Sequence, residues 1–555
     1  MVDSAGTATS TSAGTATSTS AGTATLQSTE PATGDILATL PITTAAAVAA
    51  AVVDARRAQR WWWGLGFNGR RAVLRAWAGV LARRADQLAH LVTRENGKPR
   101  ADALLEVALT VEHLWWAAGR APRVLGERWV PSGLLTANQW ATLRYEPYGV
   151  VAVIGPWNYP VFTPMGSIAY ALAAGNAVVF KPSEYTPVVG QWLAESLQRL
   201  TGGRPVLTAL IGAAQTGRDL CAADIDKVSF TGSTATARAV MTACAQRLTP
   251  VVIEAGGNDA LIVDATADLD AAAHAIVFGG VSNAGQTCVA VERVFVVAPV
   301  AEDLTDRVSR ILAGRRPGRD PAADWGPMTT PEQAAVIATH VSAALAAGAR
   351  IVSGTPPPAS APTPQPSATE DHPATEDHPT TEGHPATEGH PATATPLLTP
   401  LLLTDVPADS PLSTEETFGP VITITPVPDL PTAVARANAV RHGLGATVFS
   451  RDRAAIRWAV ANLRTGMVSV NAWAMNAGVP RLSWGGVGDS GFGRIHGDDG
   501  LREFARSKAV TRQLFGSPLE IASYRRTPAA ADRLSTLLAG VYGRRRWRAV
   551  PPDAR

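Results

Sequence analysis

A cysteine in a loop of small residues is the first candidate for chemistry in this sequence. Cys288 closes the segment Ser282-Asn-Ala-Gly-Gln-Thr-Cys288, whose small side chains leave room for a substrate beside the thiol. A cysteine sulfur can attack an electrophilic carbon, but a lone cysteine beside apolar residues is more often an inert core residue. The segment alone leaves both interpretations of Cys288 open.

Two polar side chains elsewhere could assist such a thiol. Glu254 ends a strand-like run before two glycines, so its carboxylate can face a cleft as a general base. Asn158, in the segment Ile154-Gly-Pro-Trp-Asn-Tyr-Pro160, follows another such run, and its amide can donate to an oxyanion. The alternatives are a solvated carboxylate at a strand end and a local hydrogen bond within a turn.

Strand-like and helix-like runs alternate around these residues. Short apolar runs predict strands over 149–155, 177–180, 206–211, 228–230, 251–253 and 291–297. Helical periodicity predicts helices over 188–200, 234–247, 269–278 and 331–347. This alternation favours parallel sheets covered by helices. The sequence therefore predicts an α/β fold with a doubly wound nucleotide-binding domain and a second α/β unit.

Composition excludes several classes of protein. The 555 residues carry 49 Lys+Arg against 47 Asp+Glu, so we expect no nucleic-acid partner. The three cysteines, Cys221, Cys244 and Cys288, cannot build a disulfide framework and suit a reducing compartment. The N-terminus lacks the basic and apolar regions of a leader, and no apolar run reaches about 18 residues. We therefore expect a cytoplasmic protein.

Two segments are too biased in composition to form a core. A Ser/Thr/Ala/Gly repeat begins at Ser4, and we predict a disordered tail over 1–26. A Pro-rich insertion over 354–396 carries four regularly spaced histidines, His372, His378, His384 and His390. Convergence of these side chains would cost much backbone entropy between prolines, so we predict no metal site.

Seven ordered motifs resemble those of the aldehyde dehydrogenase superfamily, from about Pro31 to Phe515. They are IGPWNYP, NAVVFKPSE, SFTGS, EAGGN, NAGQTC, EETFGPV and WGGVGDSGFGR. The resemblance implies an NAD(P)-dependent enzyme that oxidises an aldehyde to a carboxylic acid. The segment 488–497 looks closest to the branch that acts on fatty and aromatic aldehydes, which implies a hydrophobic substrate.

The same resemblance implies a role for each candidate residue. Cys288 would be the nucleophile, Asn158 and the Cys288 backbone N–H the oxyanion hole, and Glu254 the base that activates water for thioester hydrolysis. Glu184 would bond a ribose 2′-hydroxyl and repel a 2′-phosphate, which favours NAD while NADP stays possible. The implied cofactor-binding set is Trp157, Lys181, Ser183, Glu184, Gly232, Ser233, Glu416 and Phe418.

The resemblance also implies a division of the chain. A cofactor domain would comprise 27–128 and 147–256, and a catalytic domain 257–486. A small β oligomerisation element would comprise 129–146 and 505–516. The residue pattern itself, an apolar helix face followed by arginines, predicts a basic amphipathic tail over 517–555. Strands near 141–145 and 509–515 would pair and extend a sheet across subunits, giving a homodimer or homotetramer.

Two aromatic or apolar clusters invite functional interpretations that we weigh against packing. We predict that Trp61, Trp62 and Trp63 pack against a helix over 70–89. A helix before Arg544 could lie on an anionic membrane, but docking on its own subunit or across a dimer is favoured because it is short. Its apolar face comprises Leu534, Leu537, Leu538, Val541 and Tyr542.

Three rival functions share parts of this pattern. A CoA-acylating relative would use the thiol, but the water-activating Glu254 argues against it. A cofactor-free thiol esterase would have no use for Lys181, Glu184 and Glu416. A non-catalytic scaffold of the same fold would not need the three catalytic residue types.

Overall fold

The computed structural model describes residues 24–320, 322–358, 394–516 and 522–543. In chain order, the strands are β1 (Thr25–Thr29), β2 (Ile36–Pro41), β3 (Arg128–Val130), β4 (Gln139–Pro147), β5 (Val150–Ile154), β6 (Ala177–Lys181), β7 (Leu207–Ala209), β8 (Lys227–Gly232), β9 (Val251–Ala255), β10 (Ala260–Val263), β11 (Arg293–Val297), β12 (Arg350–Ser353), β13 (Leu401–Thr404), β14 (Val421–Val427), β15 (Gly445–Phe449), β16 (Met467–Val470), β17 (Gly491–Phe492) and β18 (Ala505–Gln513). The helices are α1 (Ala45–Gly64), α2 (Gly66–Arg83), α3 (Ala85–Asn96), α4 (Arg100–Leu125), α5 (Phe162–Ala174), α6 (Pro187–Gln198), α7 (Ala214–Ala222), α8 (Thr234–Ala245), α9 (Leu269–Val281), α10 (Ala301–Ala313), α11 (Pro331–Ala346), α12 (Pro411–Thr414), α13 (Leu430–Ala437), α14 (Arg453–Asn462), α15 (Gly497–Glu503) and α16 (Pro528–Val541).

A six-stranded sheet brings most of the polar motifs to one edge. Its order is β17-β9-β8-β5-β6-β7, in which β5 to β9 are parallel and β17 is antiparallel. The chain leaves β5 toward β6 on one side and returns to β8 on the other. Such a reversal opens a crevice at the carboxyl ends of the strands, where ligands bind in open α/β sheets. The loops after β5, β6, β8 and β9 all lead to this edge.

A seven-stranded sheet forms the second α/β unit. Its order is β12-β13-β14-β11-β10-β15-β16, with β12 alone antiparallel to its neighbour. Leu261, Val294 and Leu402 on three of its strands are fully buried, as expected for a parallel sheet covered on both faces. Helix α9 packs against this sheet and ends just before the cysteine loop.

A three-stranded antiparallel sheet of order β18-β4-β3 completes the architecture. β18 pairs with β4 along its whole length, from Ala505 opposite Pro147 to Gln513 opposite Gln139. The predicted pairing of these two segments is confirmed. The free edge of β18 is exposed, and the extension of the sheet across subunits stays a prediction, as do the domain boundaries.

The α/β fold is confirmed, and every strand and helix predicted between 149 and 347 is present. Three local predictions are wrong. The helix predicted over 70–89 is broken at Arg84 between α2 and α3. The disordered tail predicted over 1–26 ends too late, because Leu26 lies in β1 with 1% exposure. The Ser/Thr/Ala/Gly repeat contains no such large apolar residue. Thr395, assigned to the insertion, is buried and donates to the Pro31 carbonyl at 2.9 Å.

The remaining low-complexity predictions fall largely outside the described residues. These are the tail over 1–23, the four histidines of the insertion and the arginines from Arg544 onward.

Of the tryptophans, Trp62 is fully buried and Trp63 is 36% exposed, so the packing prediction is confirmed for Trp62. Helix α16 buries none of its residues in the described chain, so docking on its own subunit is not observed. None of the described helices combines the length and apolar character needed to cross a bilayer.

Candidate active site

Cys288 follows a strained turn at the end of α9. Asn283 and Ala284 have φ values of 52° and 56°, in the left-handed region that side chains rarely adopt. A Cβ on Gly285 would lie 2.2 Å from the Gly419 carbonyl carbon, so only glycine allows this approach. The turn is thus held against the loop before β14. It presents Cys288 with a side chain that is neither sealed in the core nor fully exposed.

Glu254 lies at the end of β9 within reach of the thiol. Cys288 Sγ donates to Glu254 Oε1 at 3.5 Å, and Glu254 is 5% exposed. β17 pairs with β9 so that Gly491 lies opposite Glu254. Gly491 has a φ of 98°, and a Cβ there would lie 2.2 Å from the Ile253 carbonyl oxygen. The glycine-rich segment near the C-terminus therefore supports the strand that carries Glu254.

Asn158 lies in the loop after β5, which a buried ion pair holds in place. Its Nδ2 donates to the Gln286 carbonyl at 3.0 Å, which ties the amide to the turn before the thiol. Lys98 Nζ donates to the Asn158 carbonyl at 2.6 Å and to Glu106 Oε2 at 3.0 Å, and both charged side chains are fully buried. Glu106 Oε1 also accepts two backbone N–H groups at the start of α5. Together these hydrogen bonds fix the position of Asn158.

Burial keeps a proton on the sulfur of the free enzyme. It raises the pKa of Cys288 well above 9, and the nearby carboxylates of Glu254, Asp259 and Glu416 raise it further. Burial also raises the pKa of Glu254. Cys288 is therefore a thiol at pH 7, and the thiolate must be generated in the cleft, where Glu254 Oε1 can accept the proton.

Alkylation of Cys288 should therefore accelerate with pH well into the alkaline range. Since only the thiolate reacts, and its pKa is raised, the rate with iodoacetamide should climb about tenfold per pH unit from neutral pH without a plateau at pH 9. The measurement uses a background carrying Cys221→Ala and Cys244→Ala, so that only Cys288 reports. A plateau below pH 8 would show that the thiol pKa is not raised.

A cavity of about 230 Å³ on one side of the thiol collects most of the predicted cofactor residues. Its walls include Trp157, Asn158, Gly232, Ser233, Cys288, Glu416 and Phe418. Glu416 Oε1 accepts the Gly257 N–H at 3.0 Å, and a Cβ on Gly256 would lie 1.9 Å from Glu416 Oε2. The two glycines after Glu254 are therefore what allows the Glu416 carboxylate to enter this cavity.

The helix that begins at this cavity suits a phosphate group. Ser233 caps α8, its Oγ accepting the Thr236 N–H at 3.2 Å, and the first backbone amides of a helix attract anions. Trp157 and Phe418, which line the same cavity, meet edge to face at 5.6 Å. A carboxylate for ribose hydroxyls, aromatic walls for a planar ring and a helix N-terminus for phosphate together fit a nicotinamide dinucleotide.

The segment from Lys181 to Glu184 lies at the end of β6, beside that cavity rather than in its wall. Lys181 Nζ and Glu184 Oε2 form an ion pair at 3.2 Å, and Ser183 Oγ donates to the same oxygen at 3.3 Å. Tyr185 contacts the Trp157 ring at a centroid distance of 6.4 Å, which connects the segment to the cavity. The structure brings all the predicted cofactor residues to one sheet edge, in two adjoining groups.

A second cavity of about 370 Å³ lies on the other side of the thiol, and its lining is mostly apolar. The lining residues with chemical or steric interest are Asp102, Leu105, Glu106, Leu109, Tyr159, Phe162, Glu254, Phe278, Cys288, Trp473, Met475, Trp484 and His496. Among these described residues there is no lysine or arginine. Burial lowers the pKa of His496 well below 6.5, so the imidazole adds no positive charge at pH 7.

Several supporting residues were not found from the sequence. Besides Lys98 and Glu106, the buried Glu292 accepts the N–H groups of Thr417 and Phe418 and so holds the loop that carries Glu416. Burial raises the pKa of Glu292 to about 7. The only available indication for Lys98 was the polar run Glu95-Asn-Gly-Lys98 between two helix-like patterns.

Comparison with known proteins assigns this architecture to a family. The profile described as "Aldehyde dehydrogenase family" matches residues 17–366 and 366–510. The 4,4'-diapolycopene aldehyde oxidase of Methylomonas sp. is 35% identical over 429 residues, which cover 76% of this chain and 73% of that protein. The NADP(+) succinate-semialdehyde dehydrogenase GabD of Escherichia coli is 32% identical over 486 residues, covering 86% and 92%.

A solved structure agrees with these sequence matches. The lactaldehyde dehydrogenase from Escherichia coli superposes with a TM-score of 0.79 at 27% identity, covering 89% of this chain and 96% of that one. Fold, motifs and site therefore point to the same family.

Proposed function

Because this chain belongs to the aldehyde dehydrogenase family, as an NAD(P)-dependent oxidoreductase acting on the aldehyde group, we propose that it oxidises a neutral, hydrophobic aldehyde to the carboxylic acid through a thioester on Cys288. The observation that carries the proposal is the position of the thiol. Cys288 lies in the wall of both cavities, with the apolar one on one side and the one lined by Glu416 and Phe418 on the other. A single sulfur can therefore meet an aldehyde from one side and a dinucleotide from the other.

The chemistry of the first half-reaction follows from three side chains. The thiol loses its proton to solvent, directly or through Glu254, and the Cys288 sulfur bonds to the aldehyde carbon, whose oxygen becomes an oxyanion. Asn158 Nδ2 and the Cys288 backbone N–H donate to that oxyanion, a contribution of about 3 to 4 kcal/mol per donor. Bound NAD(P) supplies the acceptor for the hydride that leaves this carbon. The loop that carries Glu416 would hold the dinucleotide.

The second half-reaction needs water rather than another thiol. Glu254 lines the apolar cavity next to Cys288, so it can take a proton from water that attacks the thioester. The bond between carbon and sulfur breaks, the sulfur regains a proton, and the acid leaves. The buried carboxylate is the reason to prefer hydrolysis over transfer to CoA, and a CoA-dependent product is the alternative outcome.

The cavity favours aldehydes without a distal charge. A carboxylate at the far end of a semialdehyde would find no lysine or arginine among the described lining residues to pair with. An unpaired buried carboxylate costs several kcal/mol, whereas an apolar body gains about 25 cal/mol for each Å² it buries. We therefore place the substrate among aliphatic or aromatic aldehydes, although the relative from Escherichia coli is named for succinate semialdehyde.

A substrate panel tests this assignment. Octanal, benzaldehyde and succinate semialdehyde are supplied with NAD or NADP, and both reduced cofactor and acid are measured. We expect kcat/KM for the neutral aldehydes to exceed that for succinate semialdehyde by on the order of 100-fold. Preference for the semialdehyde would contradict the substrate class, and a requirement for CoA would favour the acylating alternative.

The preference between cofactors should depend on Glu184. We propose that its carboxylate, paired with Lys181 at 3.2 Å, bonds a ribose 2′-hydroxyl and disfavours a 2′-phosphate. Glu184→Gln should then raise the ratio of kcat/KM for NADP to that for NAD by about tenfold, because a negative charge is removed. Glu302→Gln, an exposed glutamate on α10, is the control. A parent enzyme that already prefers NADP would contradict the proposal.

We propose that the chain assembles through its three-stranded sheet into a homodimer or homotetramer. The support is the exposed edge of β18, because the unpaired N–H and C=O groups of an edge strand can pair with a strand of another subunit. The proposed cofactor and catalytic domains have a separate support, which is that the six-stranded and the seven-stranded sheet each form one α/β unit. Light scattering on the full chain measures the mass of the assembly. A mass of two or four chains is expected, and the mass of a single chain would contradict the proposal.

A further inference from the structure

The apolar cavity opens to solvent at three half-exposed apolar side chains from three different elements. Leu105 of α4, Phe278 of α9 and Met475 from the loop after β16 all line the cavity. Their exposed fractions are 50%, 49% and 59%. Large apolar side chains gathered in solvent around one opening indicate a binding surface. We refer to Leu105, Phe278 and Met475 as the mouth collar.

The mouth collar is attached to the wall that carries the thiol. Phe278 meets Trp473 edge to face at 5.6 Å, and Trp473 Nε1 donates to the Val289 carbonyl at 2.9 Å, one residue after Cys288. Gly478 and Leu109, which also line the cavity, pack together, since a Cβ on the glycine would lie 3.8 Å from Leu109 Cδ2. Phe278 is therefore held against the wall that carries the thiol, and all three collar side chains line the same cavity.

The lining of the cavity indicates which kind of molecule contacts the mouth collar. A carbonyl carbon bonded to Cys288 lies at the inner end, and the rest of the molecule must extend toward the opening. The described lining offers no lysine or arginine to a distal carboxylate, and it includes the acidic Asp102, so an anionic distal end is disfavoured. An uncharged hydrocarbon that is longer than the cavity would pass between the three collar side chains.

We propose that the mouth collar is a second, outer binding site for the distal hydrocarbon of the aldehyde, which makes the enzyme selective for long-chain or extended lipophilic aldehydes. This inference rests on the proposed aldehyde oxidation and specifies its substrate class further. Each methylene that the collar covers should raise kcat/KM by up to about fourfold, the ratio expected for full burial of one CH₂ group. Short aldehydes, which end inside the cavity, gain nothing from the collar.

The test compares butanal, octanal and dodecanal in the parent enzyme and in a variant carrying Leu105→Ser, Phe278→Ser and Met475→Ser. In the parent, kcat/KM should rise through the whole series. In the variant, the ratio of kcat/KM for dodecanal to that for octanal should fall by about tenfold, because the outer methylenes lose their apolar partners. Val53→Ser, at a 51% exposed position on α1, is the matched control and should leave the ratio unchanged.

A binding measurement separates failure of this inference from failure of the proposed reaction. Octan-1-ol and dodecan-1-ol cannot be oxidised through a thioester as aldehydes are, so their dissociation constants report on the cavity and collar alone. Tighter binding of dodecan-1-ol in the parent, lost in the triple variant, supports the collar even if no aldehyde is turned over. Equal chain-length ratios in parent and variant, for both aldehydes and alcohols, overturn it while leaving the oxidation intact.

Discussion

Cys288→Ala is expected to abolish formation of reduced cofactor with every aldehyde, by on the order of 10⁴-fold or more in kcat, because no other group can form the thioester. The described structure places no second cysteine at the cleft, since Cys221 and Cys244 are buried on α7 and α8. The measurement follows NAD(P)H in a single turnover with enzyme in excess over aldehyde. Binding of the cofactor, measured by quenching of protein fluorescence, should persist.

The matched control is Cys244→Ala, which removes a buried thiol away from the cleft. It should lower the free energy of unfolding slightly and leave kcat within about twofold, as expected for a small core truncation. If Cys288→Ala kept full activity, the sulfur would not be the nucleophile. If Cys244→Ala were equally inactive, the loss would reflect folding and not chemistry.

Glu254→Gln is expected to separate the two half-reactions. The amide cannot activate water, so hydrolysis of the thioester should slow by about 10²- to 10⁴-fold, the usual value of a general base. The first turnover should still release NAD(P)H if another base or water removes the thiol proton. Rapid mixing should therefore show a burst of about one equivalent per active site followed by almost no turnover.

The absence of a burst would assign a different role to the carboxylate. Cys288 Sγ donates to Glu254 Oε1 at 3.5 Å, so loss of both phases would show that the glutamate is required already for thiolate formation. Raising the pH tests this role, since hydroxide deprotonates the thiol and should restore the burst if only thiolate formation was lost. A variant with normal steady-state kcat would contradict any catalytic role.

The elements of the fold were predictable because their patterns are local. The apolar runs of β5, β6 and β8 and the periodicity of α8 and α11 are visible in short windows of sequence, and the structure confirms them. The break at Arg84 was not predictable, because the apolar positions of α2 and α3 continue across it in a single helical pattern. The order of Leu26 in β1 also depends on a partner outside its local window, because it pairs with Leu40 of β2.

The candidate site divides along the same line. Cys288, Glu254 and Asn158 were found because each lies in a recognisable motif, and the structure places the three around one cleft. The residues that hold them act over long sequence separations. Lys98 and the Asn158 carbonyl are separated by 60 positions in the sequence, and Glu292 and Phe418 by 126. No local sequence pattern could therefore predict either hydrogen bond. The protonated state of the thiol also follows only from its three-dimensional surroundings.

The most direct test of the central claim is the mass of the Glu254→Gln enzyme after brief exposure to octanal and NAD(P), followed by acid quench and peptide mapping. A thioester adds the mass of the aldehyde less two hydrogen atoms, because one hydrogen leaves as hydride and one as a proton. We predict this adduct on the peptide that contains Cys288 and its absence when the cofactor is omitted. An acyl group on any other residue, or release of NAD(P)H with Cys288 left unmodified, would contradict the account.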